Sequence, residues 1–375
     1  MQEYCDKFNL KLNASKCKVM IFSRGKVRRF PDFYLYGEKL EVVPSFTYLG
    51  LLLNYNNDMK NAKTDLSIRG SRAMFSLLKK SNSLNIPIDV AIDLFDKTVN
   101  PVLLYGCEVW GFGNIDVFDK MQLKFYKMLL KLRNSTPSSM ILGELGKLPL
   151  SNSIHSRLLN FWYKLVLDEN KEKLSSVLYR YLFNLYCKDI HKCKYLQSIQ
   201  KILISIGIPG LWDLNNTTHV NYNWFNSFVK MKLKDNFLQE WYNTVDNNTM
   251  YETYKSLKCQ FGQENYINVL PKNCIITHIR FRTTNNQLPI NTLRFCNVEK
   301  ELRLCPKCNL QVIGNEYHYI LICPHFDTQR RNLIHHKYHN MPTMTKFQNL
   351  FNSQDKRCLL KLKHLIDVIN NELKT

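Results

Sequence analysis

Five side chains that bind soft or borderline metals crowd into the stretch CPKCNLQVIGNEYHYILICPHF, which runs from Cys305 to Phe326 of this 375-residue chain. Cys305-x2-Cys308 is the tight spacing in which two sulfurs grip one ion, and His318-x4-Cys323 supplies a second pair. Two such pairs match tetrahedral zinc, whose filled d shell imposes no other geometry. His325 is an alternative donor in place of Cys323 or His318, and spacing alone does not choose between them. Three thiolates around Zn²⁺ leave a net negative centre, which Arg303 and Lys307 are placed to offset. Between the last two ligands, Ile320, Leu321 and Ile322 give the module something to pack, while the metal would supply most of its folding energy, on the order of 10–16 kcal/mol.

Other clusters have plainer readings. Just upstream, THIRFRTTNNQLPINTLRF carries Arg280, Arg282 and Arg294 beside Phe281 and Phe295. Guanidinium forks next to aromatic rings suit phosphate and base recognition, yet the same alternation describes a half-buried strand or helix edge. Arg69, Arg72 and Lys79 form a cationic row on an expected helix, open to phosphate binding or to plain solvation. Asp89, Asp93 and Asp96 share a helix face and read as helix-start and surface acids. Cys187 and Cys193 near His191 lack a knuckle spacing and read as ordinary thiols and a surface imidazole. His335, His336 and His339 read as a polar loop or helix face.

Composition limits what these residues can serve. Lys and Arg total 52 against 31 Asp and Glu, so the net charge is +21, a field that favours polyanions. Hydrophobic residues make up 45% of the chain, enough to bury cores over most of its length and to argue against disorder. No apolar run reaches the roughly 18 residues of a membrane span, and MQEYCDKFNLKLN lacks the layout of a signal peptide. The expectation is an intracellular protein of nucleus or cytoplasm, in which the 12 cysteines are reduced thiols or metal ligands.

The elements that must position these groups follow from periodicity. Cys17 through Phe22 alternates as a strand, DFYLYGEKLEVV reads as a hairpin closed at Gly37-Glu38, and SFTYLGLLL as a third strand. From Asn61 the pattern turns helical. NAKTDLSIRGSRAMFSLLKK sets Leu66, Gly70, Ala73 and Leu77 on one stripe, a second helix is expected to stop before Pro101, and NIDVFDKMQLKFYKMLLKL is expected to cap at Asn114 and bury Phe118, Met121, Phe125 and Leu129. Further helices follow between Ser151 and about Leu257, one ending at Gly207, with loops at GIPGLW and LNNTTHVNYN.

In this order the motifs resemble the C-terminal part of non-LTR (LINE-type) retrotransposon reverse transcriptases. NASKCKVMIF followed by FTYLG is similar to the end of their palm, NPVLLYGCEVWGF, LRNSTPSSMILGELGKLPL and RLLNFWYKL to their thumb and post-thumb helices, and HIRFRTTNNQLPI with the cysteine stretch to their CCHC region. The resemblance implies a mainly α fold: residues 1–58 a partial palm with a small antiparallel β remnant, 59–150 a helical thumb, 151–270 a helical connector, 271–345 the zinc region and 346–375 a C-terminal helix. It also implies roles. Lys16 corresponds to the lysine near the departing pyrophosphate, Lys18 lies on the strand that follows it, Tyr48-Leu49-Gly50 correspond to the primer grip, and Cys305, Cys308, His318 and Cys323 to the zinc ligands.

The same resemblance exposes a gap. Polymerisation needs two metal ions on clustered carboxylates. The family's YADD hairpin has no counterpart here, so Mg is expected only if a complete palm, with its fingers, is supplied in trans. The expectation is therefore a region that binds RNA or DNA, such as a template-primer duplex or element RNA, without itself polymerising. A protein-interaction scaffold retained by a host, or a decayed element copy, is the alternative.

Overall fold

The computed structural model describes residues 2–10, 12–22, 31–56, 58–168, 172–190, 193–215, 220–248 and 251–374. With 66% helix and 6% strand, the mainly α expectation holds.

Helix α1 (Gln2–Lys7) precedes two small β units. In the first, β1 (Lys18–Val19) adds in parallel to β3 (Glu38–Val42), which pairs antiparallel with β2 (Phe33–Leu35). The hairpin turn is Tyr36-Gly37, one residue earlier than its sequence signal, and both residues are left-handed, with φ of 49° and 81°. That is the primed geometry matching strand twist, and glycine takes it freely. The segment SFTYLGLLL is not one strand but a second hairpin, β4 (Ser45–Tyr48) and β5 (Leu51–Asn54), turning at Leu49-Gly50 with φ of 46° and 83°. Apolar residues on both sides of the glycine concealed the reversal, because Leu-Gly is not among the usual turn dipeptides.

Helix α2 (Lys60–Ser83) buries Leu66, Gly70, Met74, Leu77 and Leu78, the expected stripe with Ala73 moved to its half-buried margin. Gly70 is needed there, since a Cβ would lie 2.1 Å from Leu103 Cδ2. Helix α3 (Ile88–Leu94) does not stop before Pro101 as expected. It widens into a π turn over Phe95–Val99 and runs on into α4 (Asn100–Leu103). A proline in the first turn of a new segment loses no hydrogen bond that the segment requires, and the π turn absorbs the change of register.

After the left-handed Gly106 come α5 (Cys107–Trp110) and α6 (Asp116–Leu129). Asn114 Oδ1 accepts from Asp116 N at 3.0 Å, so the asparagine closes the start of α6 from just outside it. Phe118, Met121, Phe125 and Leu129 are buried as expected. Rings stack through this core, Phe95 on Phe125 at 4.3 Å and Trp110 on Phe118 at 4.7 Å between centroids.

A second core gathers Leu158, Trp162, Tyr163, Tyr179, Leu196, Ile199 and Phe225 from α8 (Leu150–Leu167), α9 (Leu174–Lys188), α10 (Lys194–Ser205) and α11 (Tyr222–Asn247). Gly207 follows α10 in a left-handed conformation, the expected stop, and GIPGLW enters a 3-10 turn over Pro209–Asn215. Helix α7 (Ser138–Leu145) packs in the first core through Ile141, Leu142 and Leu145, and through Met140 in a small cluster with Trp241 of α11.

Helices α12 (Glu252–Leu257), α13 (Asn265–Val269), α14 (Lys272–Arg282) and α15 (Pro289–Thr292) lead to the cysteine stretch, and α16 (Asp327–Leu333), α17 (His336–His339), α18 (Met344–Phe351) and α19 (Lys356–Glu372) close the chain. A further core forms from Phe281, Tyr319, Phe326, Phe347, Leu362 and Ile366. Two helices serve two cores. In α14, Ile275 and Ile279 face the first core and Phe281 the last, and in α19 Leu359 and Leu362 divide the same way.

Inside α14, His278 is fully buried with Nδ1 3.0 Å from Cys274 O. Burial lowers its pKa to about 4. Folding thus holds the imidazole neutral while the unfolded chain takes up a proton below about 6.5, so stability is lost as pH falls from 6.5 toward 4. The loss reaches about 3 kcal/mol. Urea unfolding of wild type and His278→Phe across that range checks it, and identical acid slopes would refute it.

Candidate metal centre and its surroundings

Cys305 and Cys308 sit on a knuckle closed by backbone pairing: Cys305 N donates to Val312 O at 2.9 Å and Gly314 N to Arg303 O at 2.9 Å. His318 opens a π turn over His318–Ile322, in which Cys323 N donates back to His318 O at 2.7 Å. The wide turn swings Cys323 round to the knuckle, a use typical of single π turns at functional sites. The four candidate ligand atoms all lie within 4.8 Å of one another. Cys305 Sγ is 3.9 Å from Cys323 Sγ, and Cys308 Sγ is 3.5 Å from His318 Nε2. Sulfurs that far apart are not bonded to each other, and all four groups point at one centre that could hold a metal ion.

The electrostatics suit a cation. Burial pushes the Cys323 thiol up to about 12, with the neighbouring thiols adding to it, so without a cation the sulfur stays protonated. Burial, then Arg330, holds His318 below the usual imidazole range, which leaves a neutral ring able to ligate. Cys305 Sγ lies 3.2 Å from the Tyr319 hydroxyl, which would donate to a thiolate there. Asn315 Oδ1 accepts from His318 N at 2.9 Å and fixes the start of the turn.

The nearby cation is not the one expected. Arg303 spends its guanidinium on Val298 O and Ile290 O, at 2.8 to 3.1 Å, and no contact ties Lys307 to the sulfurs. Arg330 takes that place. It is 3% exposed and donates to Ile320 O at 2.9 Å and Cys323 O at 2.6 Å, which puts a fixed positive charge behind the cluster. Its signal in FDTQRRNL was an arginine seven residues past the last cysteine, indistinguishable by spacing from a solvated one. His325 lies outside the group of four, with its Nε2 2.5 Å from Glu372. Ile320 and Leu321 are buried as expected, but Ile322 turns outward at 38% exposure.

The expected phosphate ligands divide sharply. Arg282 is a correction: it is 1% exposed, with Nε 3.0 and 3.1 Å from the two oxygens of Glu144 and Nη2 3.0 Å from Glu264. Lys258 pairs with Glu264, and the Tyr266 hydroxyl donates to Glu144. No external phosphate reaches Arg282, and Phe281 is equally buried at 1%. Burial pushes the Glu144 carboxyl up, while Arg282 and Lys258 pull it down. The following TTNN is structural too: Asn285 Oδ1 accepts from Arg133 N and from Thr136 Oγ1, both at 2.9 Å, and Asn286 and Asn291 donate to the buried Glu316.

Elsewhere, Arg69 donates to Gly50 O at 2.7 Å and pairs with Asp65, fastening the β4–β5 hairpin to α2. The Tyr105 hydroxyl reaches Leu49 O. Tyr48 is 59% exposed and Gly50 half-buried. Lys16 is exposed at the end of a 3-10 turn capped by Asn13, and Lys18 pairs with Glu41. Arg72 is exposed, Arg280 half-buried, and Arg294 half-buried against Phe295.

Asp93 pairs with Lys97 and Asp96 with Lys147, as surface acids do. His335 caps α17, and Cys187 and Cys193 are free thiols, while His191 lies outside the described residues. Among the described residues, the cysteine–histidine cluster is the one metal-capable group, and no helix is long and apolar enough to cross a membrane. Comparison with protein-family models, curated proteins and solved structures finds no match.

Arg282→Met would leave Glu144 buried without its partner and should cost about 3–5 kcal/mol by denaturant unfolding, whereas Glu144→Leu/Arg282→Met should recover a large part of it. An unchanged midpoint in the single variant would contradict the ion pair.

Proposed function

We propose that this chain is a nucleic-acid-binding, zinc-stabilised counterpart of the C-terminal region of non-LTR retrotransposon reverse transcriptases. One observation supports the binding reading above the others. Arg72, Lys79 and Lys80 on α2, with Lys120 and Lys124 on the adjoining α6, are exposed and have no ion-pair partner among the described residues. Lys124 Nζ sits 5.0 Å from the centroid of Phe75 on α2, so the two helices present one surface. Uncompensated cations on paired helices in a chain of net charge +21 suit the phosphates of a template-primer duplex or a folded RNA. The reading is of binding rather than catalysis, since polymerisation calls for a carboxylate-held metal pair.

Zinc is the proposed ion. Tetrahedral ligation with Zn–S near 2.3 Å and Zn–N near 2.0–2.1 Å gives edges of roughly 3.8 Å between sulfurs and roughly 3.6 Å from sulfur to nitrogen. The 3.9 and 3.5 Å separations here fit both.

A second reading has its own observation. Along α9 the residues Leu174, Val177, Leu178, Tyr181 and Leu182 are 37–71% exposed, an outward apolar stripe that suits a protein partner. A pull-down that survives nuclease treatment and is lost in Leu178→Asp would favour it.

Purified protein should carry about one zinc per chain by elemental analysis. Cys305→Ser should lose it and His325→Ala should keep it, and equal zinc in wild type and Cys305→Ser would remove the site. Affinity for duplex and for RNA should fall steeply with salt. Arg72→Gln should weaken binding evenly across sequences and flatten the slope of log affinity against log salt by about 1. Affinity unchanged from low to moderate salt would end the binding reading.

A further inference from the structure

Phe295 lies in the surface 3-10 turn Leu293–Cys296, none of whose residues is buried, and its ring is 56% exposed. Two guanidinium groups lie over that ring, Arg294 at 5.1 Å and Arg133 at 5.8 Å from its centroid. They come from opposite parts of the sequence, and Arg133 is held in place: its backbone N donates to Asn285 Oδ1 at 2.9 Å and its Nη2 to Asn286 O at 3.3 Å. The ring thus stands on a turn without buried residues, between a guanidinium held at Asn285 and Asn286 and a second one from its own turn.

The stretch that brings Arg133 to the ring is positive. Lys127 reaches Asn134 O at 2.6 Å, and Lys131 is exposed in a left-handed conformation with φ of 52°. Lys272 donates to Ser81 O at 3.0 Å and lies close enough to Lys131 for the two charges to repel. Among the described residues no carboxylate comes within ion-pair range of Lys127, Lys131, Arg133 or Lys272. Like charges crowded without a counter-ion on a folded surface cost energy that a polyanion would relieve.

We propose that Phe295, with Arg133 and Arg294, is a stacking platform for an unpaired base, and that Lys131 and Lys272 take the phosphates of the same strand. Aromatic faces and guanidinium planes stack bases of any sequence, and the adjacent ammonium groups track a flexible backbone. The ligand is therefore single-stranded nucleic acid, RNA or DNA, taken up by groups other than the Arg72, Lys79, Lys80, Lys120 and Lys124 of the duplex face. The platform deepens the nucleic-acid reading and rests on it.

The test uses the full zinc-loaded chain with an unstructured single-stranded RNA, the DNA of the same sequence, and the matching DNA duplex. Phe295→Ala and Phe295→Leu should each weaken single-strand binding about tenfold and leave duplex binding unchanged, while Phe295→Tyr should keep wild-type affinity. Phe295→Trp supplies a signal: its fluorescence should be quenched by either single strand and not by the duplex. A preference between RNA and DNA would assign the strand type. Wild-type binding of single strands that Phe295→Leu does not weaken, or an equal loss on single strand and duplex, would overturn the platform while leaving the broader reading in place. A wild type that binds none of the three would overturn both.

Discussion

One buried charge cluster ties α7, α14 and the end of α18 together. Arg282, at the end of α14, is satisfied by Glu144 of α7, Glu264, Leu257 O and Asn352 Oδ1, four partners from four separate stretches of chain. Lys258 and Tyr266 complete the set, so two carboxylates face two cations, with Glu264 the member that reaches the surface, at 16% side-chain exposure. Such a cluster adds little net stability compared with apolar packing, because desolvation consumes most of the Coulomb gain. What it imposes is arrangement: any packing of α7 against α14 that separates Glu144 from Arg282 strands a charge in a dry core.

That arrangement sets the environment of the metal-capable cluster. Phe281, the neighbour of Arg282, packs in the core that also takes Tyr319, Ile320 and Cys323. Glu316 is buried at 2% and accepts from Thr253, Asn286 and Asn291, pinning the residues just before His318 to the turn after α14. The knuckle is thus anchored at its His318 side by polar contacts and at its Cys323 side by Arg330, and the ligand geometry follows from both. Arg330 also bears on charge: its guanidinium, paired with Asp327 at 3.3 Å, sits behind a cluster whose sulfurs would turn negative if a metal ion bound them.

The positive charge of the chain is divided by function. Arg282, Arg330, Arg303 and Arg69 donate inward to carboxylates and backbone carbonyls, using the planar fork that satisfies several acceptors at once. Among the described residues, the exposed cations outside any ion pair include Arg72, Lys79, Lys80, Lys120, Lys124 and Lys131, nearly all of them lysines. The exposed positive field therefore comes mainly from ammonium groups, with Arg72 as a planar exception.

Period-based features were legible in the chain itself. The stripes of α2 and α6 and the pairing Cys305-x2-Cys308 with His318-x4-Cys323 depend on local spacing, which a helix or a tight turn converts directly into geometry. Features that depend on a distant partner were not legible. Whether Arg282 faces water or Glu144, whether His325 or Cys323 reaches the knuckle, and whether Arg303 or Arg330 backs the sulfurs are settled by contacts across up to 138 residues. The passage of α3 through Pro101 belongs with these, because a π turn is chosen by the packing of Phe95 and Val99 rather than by residue type. Sequence determined which residues could ligate, pack or carry charge; only the tertiary structure decided which did, because burial, which sets whether a charge is a ligand or a structural tie, is a property of the folded neighbourhood.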